Sequence, residues 1–149
     1  MRDLLIEDFT HELFRNAFKL YFGELGIEVK AWDALFREMA DEGGNKAYIR
    51  MNDNDIIVGF IMFKAEQLSN WFFEEKIGFI REFWVAQDQR NSGHGSHLLR
   101  IAEEYFAKNG IFKVVLTTDT AEHFYETHGY QQDKSYTAKN HDAVFVKRL

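Results

Sequence analysis

Between an apolar, strand-like segment that ends at Val85 and a helical stripe that begins at Leu98 stands the run Arg90-Asn91-Ser92-Gly93-His94-Gly95-Ser96. The chemistry this run suits is the holding of a phosphate. The first turn of a helix carries backbone N–H groups without partners and the positive end of the helix dipole, so an anion docks there without a lysine. Gly93 and Gly95 remove side-chain bulk where a pyrophosphate would lie, and Asn91 tolerates a left-handed turn. A Walker loop would need a Gly-Lys pair, which is missing, and a dinucleotide fingerprint would need a third glycine where Leu98 stands. His94 and His97, two of six histidines, raise a metal reading. There is no HExxH and no cysteine, and His94 falls inside the anion loop, so no metal is expected.

A second block lies downstream: the apolar segment 113–118, then Ala121-Glu122-His123-Phe124-Tyr125-Glu126-Thr127-His128-Gly129-Tyr130. The upstream loop reads RxxGxG with Arg90, Gly93 and Gly95, and it resembles the acetyl-CoA loop of the GCN5-related N-acetyltransferase (GNAT) superfamily. The downstream block is similar to the later AxxxYxxxGF signature of the same family, in the right order and spacing. Two departures stand out. His94 occupies a slot that usually holds an aliphatic residue, and Thr118 stands where many members carry an asparagine that touches the cofactor.

The resemblance implies an α/β (α+β) GNAT fold, a mixed and mostly antiparallel central sheet with splayed, parallel fourth and fifth strands and helices on both faces. It implies acetyl-CoA as cosubstrate, entering that gap. Attack of an amine on a thioester needs a neutral nitrogen, a polarised acyl carbonyl and a proton for the departing sulfur. The family pattern assigns the carbonyl and pantetheine amides to backbone groups of Phe83, Trp84 and Val85. It assigns the pyrophosphate to the N–H groups of Asn91, Ser92, Gly93, His94, Gly95 and Ser96, with charge from Arg90, and leaves a cofactor contact to the Thr118 hydroxyl. Tyr125 matches the general acid, a phenol near pKa 10 facing a thiolate near 8.5. Glu82 stands where several members carry a catalytic base, and strand alternation places it on one face with Ile80 and Trp84; a water relay is the alternative base.

These residues need elements to hold them. Leu4–Glu7 reads as a first strand, and Leu13, Phe14, Ala17, Phe18, Tyr21 and Leu25 recur at helical spacing up to Gly26. A second helix carries Trp32, Leu35, Phe36 and Met39 and stops at Gly43-Gly44. Segments 47–51 and 56–64 flank the turn formers Asn52-Asp53-Asn54-Asp55 and read as a hairpin. Segment 67–76 fits neither period and reads as a loop whose Trp71, Phe72 and Phe73 form a substrate wall, a subunit contact or an anchor to the core. Leu98, Ile101, Ala102, Tyr105 and Phe106 make a helical stripe ending at Asn109-Gly110. Asp119 followed by Glu122 resembles a capping box that starts the Tyr125 helix. The last strands read as 130–138 and 143–147, giving the order β-α-α-β-β-β-α-β-α-β-β.

The 149 residues make one domain, 1–149, and 46% hydrophobic with 16% aromatic residues argues for a packed core. With no cysteine, transfer through a cysteinyl intermediate and disulfides are excluded. No basic region precedes an apolar core at the amino terminus and no apolar run approaches a bilayer span, so a cytoplasmic protein without membrane partners is expected. A net charge of −6 disfavours nucleic acid, including charged tRNA, and favours a cationic substrate. The function expected is acetyl-CoA-dependent transfer to a primary amine of a small molecule by direct attack in a ternary complex, with Trp32, Phe36 and Trp71 as acceptor-side aromatics. The alternative is a non-catalytic acyl-CoA-binding sensor or interaction module on the same fold. The resemblance implies pairing through late strands, and Trp71, Phe72 and Phe73 offer an apolar contact if exposed, so a homodimer is the expected assembly.

Overall fold

The apolar pattern of the central strands decides the layering. In β2 (Asn45–Met51), Ala47, Ile49 and Met51 are buried on one face. In β3 (Ile57–Ser69) both faces are apolar: Phe60 and Met62 point to one side, Ile61 and Phe63 to the other. Such a strand must be covered on both faces. On the first face lie α1 (Glu12–Leu25) and α2 (Trp32–Glu42), whose Phe14, Phe18 and Phe36 pack with Phe9 against Phe60. On the second lies α3 (His94–Lys108), whose Leu98, Leu99, Ala102 and Phe106 meet Phe63, Ile80, Val114 and Leu116. The remaining elements are β1 (Arg2–Ile6), β4 (Glu74–Val85), a single 3-10 turn at Gln87–Gln89, β5 (Lys113–Thr118), α4 (Glu122–Thr127), β6 (Gln131–Gln132) and β7 (Ala143–Arg148). The computed structural model describes residues 1–149, and no helix in it is long and apolar enough to cross a membrane.

The seven strands lie in the order β1-β2-β3-β4-β5-β7-β6. All neighbours are antiparallel except β4 and β5, which are parallel and joined through α3. Their shared ladder is confined to Gly78↔Val114 and Phe79↔Val115. Beyond that point β4 pairs only with β3 and β5 only with β7, so a gap opens between their carboxyl ends. The expected fold class and element order are those found.

Four local expectations are corrected. Segment 67–76 is not a loop: β3 runs to Ser69 and β4 starts at Glu74, leaving a tight turn in which the Asn70 side-chain oxygen accepts from the N–H groups of Phe72 (2.8 Å) and Phe73 (3.1 Å). Trp71 and Phe72, 98% and 92% exposed at its tip, anchor nothing to the core. The strand expected over 130–138 reduces to Gln131–Gln132, because Asp133 turns the chain by accepting from both the N–H and the hydroxyl of Ser135. Asp119 does not cap α4; the Thr118 hydroxyl accepts from Ala121 N–H at 3.1 Å instead. Finally, the register slips between Met62↔Glu82 and Phe63↔Ile80, leaving Arg81 unopposed as a β-bulge. The bulge resets the alternation, so Ile80 faces α3 while Glu82 and Trp84 face α1.

Where β4 and β5 still pair, α3 lies close: a Cβ on Gly78 would sit 2.8 Å from three ring atoms of Phe106, itself fully buried. Gly78→Ala is therefore expected to destabilise the fold by about 1–3 kcal/mol, the usual cost of overpacking, and to lower Tm by roughly 3–10 °C in a thermal melt.

Candidate functional site

The gap between β4 and β5 is the mouth of a cleft of about 820 Å³. A crevice beyond the carboxyl ends of parallel strands is where open α/β sheets receive ligands. Three of its sides come from the end of β4 (Phe83, Trp84, Val85), the loop and first turn of α3 (Arg90 to Ser96, without Ser92), and the start of α4 (Ala121, Phe124, Tyr125). The face opposite α4 is supplied by Tyr21, Glu24 and Leu25 of α1.

The loop has the geometry its composition suggested. Asn91 and Gly93 take positive φ, 62° and 83°, which curls the chain into α3. The first helical bond is His97 N–H to the Gly93 carbonyl, 3.0 Å, and the N–H groups of residues 91–96 donate to nothing within the protein. They form a run of free donors at the positive end of a 15-residue helix. Gly95 lies above Phe83 and Phe124, whose ring centroids are 5.9 Å apart.

The β4 end presents a second set of polar groups. Ala86 N–H donates to the Val58 carbonyl at 2.8 Å, so alternation directs the backbone groups of Trp84 toward β3 and those of Phe83 and Val85 into the gap. Of the three β4 residues expected at the site, Trp84 thus contributes its side chain, whose indole donates to Glu24. Glu24 also accepts from Gln87 N–H (2.9 Å) and from Arg90 (2.9 Å). Arg90 additionally donates through Nε to the Val85 carbonyl at 2.9 Å, so its guanidinium lies against the β4 end.

Tyr125 is 7% exposed and its hydroxyl has no partner in the protein, although no buried polar side-chain atom lacks one. The hydroxyl therefore opens to the cleft. Burial pushes its pKa up to about 12. Glu82 is half-buried, does not line the cleft, and accepts a 2.9 Å hydrogen bond from Tyr21. Burial raises its carboxyl above the usual range, and the Tyr21 bond partly offsets this.

Thr118 is buried and its hydroxyl accepts from the N–H of Ala121, the residue before α4, so it is turned to the chain and does not line the cleft, and Ser92 stands just outside the lining. His94 does not bind with His97 as a pair. Its Nδ1 accepts from Arg50 (3.1 Å) while His97 Nε2 meets Asp3 (2.7 Å), and burial together with Arg50 holds His94 below its ordinary pKa. The aromatics expected on the acceptor side are elsewhere: Phe36 is in the core with Trp32 stacked on it, and Trp71 is at the hairpin tip. Sequence reasoning missed Tyr21 and Glu24, which helical periodicity assigns to the core stripe and to a solvated face. It also missed His128, whose ring bridges the Phe124 carbonyl (2.7 Å) and the Ser96 hydroxyl (2.9 Å), tying α4 to the loop.

A sequence model described as the Acetyltransferase (GNAT) family matches residues 4–130. Among solved structures, the chain is similar to an acetyltransferase of the GNAT family from Staphylococcus aureus Mu50, with 19% identity, TM-score 0.69, and 99% of each chain covered. It is similar to a predicted acetyltransferase with acetyl-CoA from Clostridium acetobutylicum, with 14% identity, TM-score 0.74, covering 92% of this chain and 94% of that one. It is also similar to Tetrahymena GCN5, with 9% identity, TM-score 0.75, covering 100% and 96%. The comparison with curated proteins finds no match.

The Tyr125 environment carries a measurable consequence. A phenol whose folded pKa is about 12 against about 10 unfolded stabilises the fold below pH 10 and loses that contribution, about 3 kcal/mol, as pH rises from 10 to 12. Denaturant melts across this range are expected to show a steep alkaline decline that is shallower in Tyr125→Phe.

Proposed function

The chain belongs to the acetyltransferase (GNAT) family, and from that premise we propose that it transfers the acetyl group of acetyl-CoA to a primary amine of a small molecule by direct attack within a ternary complex. The observation that carries the proposal is the single cleft in which free loop donors, the β4 backbone groups that face away from β3 and a partnerless tyrosine hydroxyl converge.

The N–H groups of residues 91–96 are disposed for a pyrophosphate, with Arg90 able to leave the Val85 carbonyl and join them. That movement would also take the guanidinium charge away from Glu24, which lines the cleft and whose carboxylate is a suitable partner for a protonated amine, in keeping with the net charge of −6. The Phe83 and Val85 backbone groups then suit the pantetheine amides and the acyl carbonyl, which gains electrophilicity from a donated hydrogen bond.

Tyr125 fits the acid. A phenol at about 12 is neutral throughout the physiological range and so always holds the proton it must give. Full transfer to a thiolate near 8.5 is uphill by about 5 kcal/mol, which fits within a barrier of roughly 16 kcal/mol for turnover near 10 s⁻¹. Glu82, desolvated and raised, fits the eventual acceptor of the amine proton.

Two measurements test this reading. In a thiol-release assay with acetyl-CoA and a panel of amines, turnover is expected with at least one, and Tyr125→Phe is expected to lower its rate by about 10²-fold while acetyl-CoA affinity stays unchanged. Binding without release for every amine would favour a sensor. Gly95 has helical geometry, and a Cβ there meets Phe124 at 3.6 Å and Phe83 at 3.7 Å, ordinary contact distances. Gly95→Glu should therefore fold yet place a carboxylate among the loop donors, abolishing acetyl-CoA binding by calorimetry; unchanged affinity would overturn the loop assignment.

A further inference from the structure

Glu82 is the group chemically suited to end the amine's proton path, yet it does not line the cleft. Tyr21 does, and its hydroxyl donates to Glu82 Oε2 at 2.9 Å. We infer that Tyr21 is a catalytic residue, the conduit by which the proton of the attacking amine passes from the cleft to Glu82.

The packing supports a fixed conduit. The Tyr21 ring is held by Phe18, Phe22, Phe60 and Trp84, with centroids 5.8, 5.5, 5.6 and 6.4 Å away, so the hydroxyl has little freedom to leave its carboxylate. The bulge at Arg81 is what brings Glu82 to this face; without it the carboxylate would point toward α3. Burial and the neighbouring carboxylate push the Tyr21 phenol above its ordinary range, so it does not store a negative charge. It accepts one proton only as it gives up another. The titratable groups around the pair are Arg81 on β4, which favours the charged carboxylate, and Tyr125 across the cleft.

The step balances as follows. The amine nitrogen forms a C–N bond to the acyl carbon; its N–H proton passes to Tyr21 Oη as the Tyr21 proton passes to Glu82 Oε2. The C–S bond breaks and the sulfur takes the Tyr125 proton. Glu82 then loses its proton to solvent and Tyr125 regains one, so the amine and acetyl-CoA have become the amide and CoA thiol.

This inference rests on the acetyl-transfer reading, and the test separates the two. Thiol release is measured for the parent, Tyr21→Phe, Glu82→Gln and the double variant with spermidine, glucosamine and lysine as amines, alongside calorimetric acetyl-CoA affinity and a thermal melt. Each single variant is expected to lower kcat about 10–100-fold at unchanged acetyl-CoA affinity, and the double to lose no more than the worse single, because both residues serve one path. The acidic limb of kcat at saturating amine should disappear in Tyr21→Phe as in Glu82→Gln. If Tyr21 only positions Glu82, its removal would leave the limb in place and shift it to higher pH, since the lost hydrogen bond favours the carboxylate; that result overturns the relay. So does a Tyr21→Phe rate within twofold of the parent, or a double variant that multiplies the two losses. No release by the parent with any of the three amines, despite acetyl-CoA binding, overturns the transfer reading and the relay with it.

Discussion

The structure depends on how little β4 and β5 share. Their parallel ladder holds only at Gly78 and Phe79, where the missing Cβ lets Phe106 of α3 press against β4. From there each strand follows its antiparallel neighbour, and the divergence leaves the Phe83 and Val85 backbone groups without a strand partner. Unpaired backbone polar groups require some partner. One of them, the Val85 carbonyl, is taken by Arg90. The crossover through α3 then sets the free N–H groups of its first turn at the same end of the gap, so strand divergence and helix start produce one polar-lined cleft.

The bulge at Arg81 is the second determinant, because it decides which side chains each face receives. Before it, Gly78 and Ile80 face α3; after it, Glu82 and Trp84 face α1. One extra residue thereby places an acidic and an indole side chain beside Tyr21 and Glu24 on α1, and Arg81 itself reaches Glu42 (2.7 Å) and Asn45 (2.8 Å). Those bonds give the unopposed residue partners and couple β4 to the end of α2.

The same bulge marks where sequence reading stops. Element order, the loop and the Tyr125 helix were legible because periodicity, Gly93 and the 121–130 block are local signals. A bulge has no such signal: Ile80, Glu82 and Trp84 look like a period-two set, and only cross-strand register reveals the slip. Tyr21 was legible as a helix position but not as a site residue, since one period serves both the Phe14–Phe18 core and the cleft wall. The strand expected after Tyr130 failed for a local reason that competes with propensity, the Asp133 side chain taking the backbone donor at Ser135.

His94 shows how a departure from the family pattern is accommodated. An aliphatic residue at the first position of α3 would pack under the loop; an imidazole there needs a partner on the same side. Arg50 on β2 supplies it, donating through Nε to His94 Nδ1 while its Nη1 donates to both carboxylate oxygens of Asp3 on β1 at 2.9 and 2.8 Å. Asp3 in turn meets His97, one turn further along α3. Burial and the little-exposed guanidinium hold His94 below its ordinary pKa, which disfavours a charge on the histidine at the turn where anion-binding donors are free. Strands β1 and β2 thus brace the loop from below by hydrogen bonds rather than by apolar packing, and the backbone above keeps the curled path set by Asn91 and Gly93.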